Sequence, residues 1–80
     1  MISHQNIRFA LHEGEEYIHL IQLLKAVGCV DTGAEAQNAV TQGLVKRNGN
    51  PELRKRAKIV PGDVIEYGSH TIAVARHTDQ

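Results

Sequence analysis

Eighty residues leave room for one domain, 1–80, in which nine Lys and Arg balance nine Asp and Glu to a formal net charge of zero. A chain of this length buries only about 60% of the surface its unfolded form exposes, so its caps and turns must be efficient. Phe9, Tyr17 and Tyr67 are the only aromatic residues, and Cys29 is the only cysteine. The first fact argues against a ring-lined platform for single-stranded nucleic acid; the second excludes an internal disulfide and a thiolate zinc cluster. The start MISHQNIRF lacks an apolar signal region. No apolar run approaches the ~20 residues of a membrane span, so a soluble, cytoplasmic protein with no membrane partner is expected.

Ile7, Phe9 and Leu11 alternate with Arg8, Ala10 and His12, and this period of two predicts a short half-buried strand. Glu13-Gly14-Glu15-Glu16 then turns the chain, with acids placed to favour the positive end of the helix that follows. Tyr17, Leu20, Ile21, Leu24 and Val27 recur at helical spacing, widened by Leu23, and predict a helix from about Tyr17 to Val27 with Gly28 as its stop. Thr32 and Glu35 form a T-x-x-E capping box for a second helix. Its apolar stripe, Ala36, Ala39 and Val40, is narrow and small, and Gly43 stands where a left-handed cap is wanted. Gln37, Asn38 and Thr41 remain on the outer side.

Leu44 to Arg47 should form a strand entering the turn Asn48-Gly49-Asn50, and Pro51 bars continuation as a central strand. The polar excursion ELRKRAK leads back to the core at Ile59-Val60. Pro61-Gly62-Asp63 suits a type II turn, because proline presets φ and glycine accepts a positive one. Val64 to Tyr67 is the next strand, Gly68-Ser69 the turn, and Thr71 to Ala75 the last strand, with Ile72 and Val74 on one face. Strand, helix, helix, three strands is an α+β order: two packed helices against a small, mainly antiparallel sheet.

Six of the nine cations, Lys46, Arg47, Arg54, Lys55, Arg56 and Lys58, fall in one run that contains a single acid, Glu52. In a neutral protein such a cluster means polarisation, and a domain that gathers its cations beside one helix is suited to meet a polyanion on one face. The bland alternative is a solvated surface. Gln37, Asn38 and Thr41 could add hydrogen bonds to sugars or base edges, or be ordinary helix surface. Asn48 and Gly49 are turn formers first. His4, His12, His19, His70 and His77 are scattered, with no ligand-spaced pair. Ser3 and Ser69 sit in no nucleophile motif, and the glycines stand singly rather than in a phosphate loop. No metal, cofactor or catalytic residue is expected, and no enzyme.

A short helix pair, then G-x-V-x-x-N-G, a basic hairpin and P-G-D-x-I, resembles the S-four RNA-binding domain, the αL motif named after ribosomal small-subunit protein four. The similarity runs from about Tyr17 to Val74 and is closest to the small stand-alone bacterial ribosome-associated members. Gly33, Ala34, Ala36 and Gln37 match their helix start. Glu52, Arg54 and Lys55 match their E-x-R segment, and Lys58, Ile59, Gly62 and Asp63 their K-I-x-x-G-D turn. The chain departs from that pattern with Thr32-Gly33 in place of Ser and a basic residue, and with Arg47 in place of an apolar residue. Arg47 reads either as an edge residue with its head in water or as part of the binding face. The resemblance implies an RNA-binding module whose second helix and basic hairpin form the contact face. It makes ribosomal RNA or a ribosomal particle the first target and transfer RNA the second, with ribosomal proteins as possible neighbours. The competing class is a protein-interaction module whose basic hairpin meets an acidic partner.

Overall fold

The computed structural model describes residues 3–77. Seven strands and two helices follow in the order β1 (Gln5–Ala10), β2 (Ile18–His19), α1 (Leu20–Ala26), α2 (Gly33–Thr41), β3 (Val45–Arg47), β4 (Asn50–Pro51), β5 (Lys58–Ile59), β6 (Val64–Tyr67) and β7 (His70–Ala75). The larger sheet has the order β1-β7-β6-β3-β4, while β2 and β5 form a separate two-stranded ribbon. Among the described residues only the β1–β7 pairing is parallel; the rest are antiparallel.

The helices cover one face of the larger sheet. Leu20, Leu23 and Leu24 of α1, Ala36, Ala39 and Val40 of α2, and Val45, Ile65, Ile72 and Val74 of the sheet share one buried cluster, closed by Leu11, Val30, Ala57 and Ile59. Fully burying a Leu or Ile side chain stabilises by about 1.5–3 kcal/mol, so the leucines of α1 are its principal supply. The small stripe of α2 reaches the same core without large side chains, which leaves its outer face polar.

Both helices end in the way their glycines predict. Cys29 N–H donates to Leu24 O (3.0 Å) and Gly28 N–H to Lys25 O (3.1 Å); Leu44 N–H donates to Ala39 O (3.0 Å) and Gly43 N–H to Val40 O (3.1 Å). These are paired Schellman closures, with Gly28 and Gly43 at φ +79° and +75°. At the start of α2, Thr32 Oγ1 accepts from Glu35 N–H at 3.1 Å. The Glu35 carboxylate accepts from Asp31 N–H at 3.0 Å, one residue before the cap itself.

The first helix is shorter than its periodicity predicts. Tyr17 lies outside the helix, just before β2, and Ile18 and His19 are extended, paired with Ile59 and Lys58. Leu20 N–H donates to Ala57 O at 2.9 Å. Tertiary pairing therefore takes the backbone groups that a first helical turn would leave unpartnered, and the β-branched Ile18 accepts a strand readily. Pro51 lies in the edge strand β4, where a missing N–H removes no ladder bond.

Candidate nucleic-acid interface

The strand β3 alternates Val45 inward, Lys46 outward and Arg47 inward, as its burial pattern shows. An inward cation demands partners, and Arg47 has them. Its Nε and Nη2 donate to Asp63 Oδ2 at 3.1 and 2.7 Å, Nη2 donates to Lys58 O at 3.0 Å, and Nη1 reaches Glu52 Oε1 at 3.4 Å. The side chain is 22% exposed. Arg47 thus neither snorkels to water nor lies free on the binding face; it ties β3 to the segment preceding β5 and to the turn after it.

Asp63 is the hub of that arrangement. Its Oδ2 also accepts from Val60 N–H at 2.9 Å and its Oδ1 from Asn48 Nδ2 at 3.0 Å. Asn48 Oδ1 in turn accepts from Val64 N–H at 2.8 Å. Asn48 occupies the left-handed region at φ +52° and Gly49 follows at +88°, as a two-residue hairpin between paired Arg47 and Asn50 requires. Gly62 at φ +96° lets the Val60–Asp63 turn close, with Asp63 N–H donating to Val60 O at 3.0 Å. Burial disfavours the Asp63 carboxylate, but Val60 N–H, the Asn48 amide and the Arg47 guanidinium together hold its pKa below the usual value.

Glu52, also buried, holds the basic loop at its other end. Arg54 donates from Nε to Oε2 and from Nη2 to Oε1, both at 3.1 Å, and from its backbone N–H to Oε2 at 3.2 Å. This two-pronged grip, aided by Arg47, holds the Glu52 carboxyl at a pKa of about 2. Every buried side-chain polar atom among the described residues has a hydrogen-bond partner.

Clamped at both ends, the loop turns Lys55, Arg56 and Lys58 outward, with no acidic partner among the described residues. Arg56 stands between two clefts. One is lined by Arg47, Arg54, Ala57 and Lys58; the other joins Arg56 and Lys55 to Gln37 of α2 and Gln22 of α1. Gln37 is therefore in place beside the cations, and Asn38 is exposed on the same helix. The Thr41 hydroxyl is turned back onto α2, donating to Gln37 O and Asn38 O at 3.0 and 3.2 Å. Lys46 is not brought into the cluster: it points from the opposite side of β3, in register with Glu66.

Sequence reasoning missed the load borne by Glu52, Asp63 and Asn48, which looked like a stray acid and two turn formers. The available signal was Arg47 itself, since a cation at an inward strand position requires a carboxylate nearby. Among the described residues no group of His, Cys, Asp and Glu could hold a metal ion, and no helix is long and apolar enough to cross a membrane.

Residues 10–75 match the S4 domain family, and the chain belongs to that family. Over 58 residues it is 40% identical to YbcJ of Escherichia coli (strain K12), a candidate RNA-binding protein, covering 72% of this chain and 83% of that one. The same figures hold for YbcJ of Shigella flexneri. The solution structure of YbcJ from E. coli, described as revealing an αL motif involved in RNA binding, superposes with a TM-score of 0.64 and 37% identity over 85% of each chain. The two-helix, mainly antiparallel arrangement is that of the αL motif.

Proposed function

We propose that this protein binds structured RNA, docking through the outer face of α2 and the loop that carries Arg54, Lys55, Arg56 and Lys58. The observation that carries the reading is the anchored loop: two buried carboxylates hold it, while its remaining cations face solvent, Lys55 and Arg56 beside Gln37. Family membership and the RNA-binding description of YbcJ support it. Recognition is by phosphate positions and the shape of the folded RNA: lysines act as point charges and Arg56 offers a planar fork for one phosphate. Arg47 serves by holding the loop and Lys46 adds long-range attraction, while Asn38 and Thr41 flank the contact. Ribosomal RNA or a ribosomal particle is the first target and transfer RNA the second, met in the cytoplasm, where the protein acts by binding, ordering or blocking RNA and not by catalysis.

The test is crosslinking in cells followed by sequencing of the attached RNA, comparing the native chain with Lys55→Glu/Arg56→Glu. The expected result is a footprint on ribosomal or transfer RNA that the double variant loses. No RNA above background from well-expressed native protein would refute the reading and leave an acidic protein partner as the alternative.

A further inference from the structure

Tyr17 belongs to no part of the surface described so far, yet it is exposed at 38%. The short pairing of β2 with β5 fixes the chain beside it, and two contacts hold its ring. The His19 ring meets it edge-on, with centroids 5.3 Å apart and planes at 68°, and the Lys58 ammonium lies 5.0 Å over its centroid. Tyr17 and His19 line an open cleft with His12, Glu16 and Gln22. The neighbouring cleft, which holds Lys55 and Arg56, shares His19 and Gln22 as a common wall. An aromatic, hydrogen-bonding hollow thus adjoins a cationic rim across a single shared wall.

We propose that this hollow takes one unpaired base of the bound RNA, while the phosphate of that nucleotide sits at Lys55 and Arg56. The inference rests on the RNA-binding reading and deepens it. The ring of Tyr17 offers an apolar face of the kind on which bases stack. Glu16, which has no ion pair among the described residues, and Gln22 offer acceptors to the amino and imino hydrogens of a base edge. A base entering against Tyr17 takes the place of the Lys58 ammonium over the ring, which frees that ammonium for the RNA backbone beyond the phosphate held by Lys55 and Arg56. A fully paired helix has no base to supply. The protein should therefore favour RNA with a bulged or looped-out nucleotide.

The experiment compares an RNA hairpin carrying a single-nucleotide bulge with the same hairpin fully paired, by fluorescence anisotropy at one salt concentration. The native chain should bind the bulged form about tenfold more tightly. Tyr17→Ala should bind both forms at the paired level, and Tyr17→Phe should restore the preference. With 2-aminopurine as the bulged base, binding of the native chain should quench its emission, a readout that needs no variant. Equal affinity for the two hairpins with unchanged 2-aminopurine emission would overturn the base site and leave the RNA-binding reading standing. Failure of the native chain to bind either hairpin would overturn both.

Discussion

Two arginines seven residues apart use the same chemistry for opposite ends. Arg47 and Arg54 both grip carboxylates, but Arg47 is drawn inward by Asp63 with 22% of its side chain exposed, whereas Arg54 holds Glu52 from outside with 75% exposed. Lys55, Arg56 and Lys58, close by in the chain, grip no acid among the described residues. A run of cations that looks uniform in sequence is thus divided into charges that build the loop and charges that the loop presents. The lesson is that a cation's neighbours across the fold, rather than its neighbours in the chain, decide whether it is available to a phosphate.

The sharpest way to break that comparison is to reverse the presented charges. Lys55→Glu/Arg56→Glu should lower RNA affinity by about a hundredfold or more at moderate salt, with stability changed by no more than about 0.5 kcal/mol; binding titrations and urea melts check the two halves. Arg54 is spared because its reversal would set two carboxylates side by side. Removing the hub should do the opposite. Asp63→Ala takes away the main partner of the Arg47 guanidinium and leaves two further donors, Val60 N–H and Asn48 Nδ2, unpaired, and should cost about 2–4 kcal/mol of stability by denaturant unfolding. Thr32→Ala, which removes the hydroxyl that caps α2, should cost about 1 kcal/mol in the same assay.

Acid provides a graded version of the comparison. The Glu52 pKa falls from an ordinary 4.5 to about 2 in the fold, so its stabilising contribution is complete above the unfolded value and is lost as pH falls from 4.5 toward 2. Asp63 is shifted in the same direction. Stability should decline through that window in the native chain and decline less in Glu52→Gln, as followed by thermal melts at successive pH values.

Much of the scaffold was legible in the chain. The capping box at Thr32 and Glu35, the glycine stops at Gly28 and Gly43, the Asn48-Gly49 hairpin and the Pro61-Gly62 turn are local devices, set by backbone conformations that few other residues accept. The pairing of Ile18 and His19 with Ile59 and Lys58 was not legible, because it joins residues about forty apart and overrides a local helical period. A still longer separation, 65 residues from Gln5 to His70, hid the parallel docking of β1 on β7. At the candidate site, the cation run and its proximity to Gln37 could be read directly. The inward turn of Arg47, the partnership of Asp63 with Asn48, and the outward turn of Lys46 all follow from strand alternation and cross-sheet register. Neither is visible until the strands are aligned.

The most direct test of the division between building and presented charge is to neutralise one arginine of each kind and measure both RNA affinity against salt and unfolding in urea. Arg56→Gln should reduce the slope of log affinity against log salt by about 0.7–0.9 and leave unfolding unchanged. Arg47→Gln should lower the unfolding midpoint and change the salt slope by less. An Arg47→Gln protein that unfolds like the native chain while losing as much of the salt slope as Arg56→Gln would contradict the account, because it would place Arg47 on the phosphate rather than beneath it.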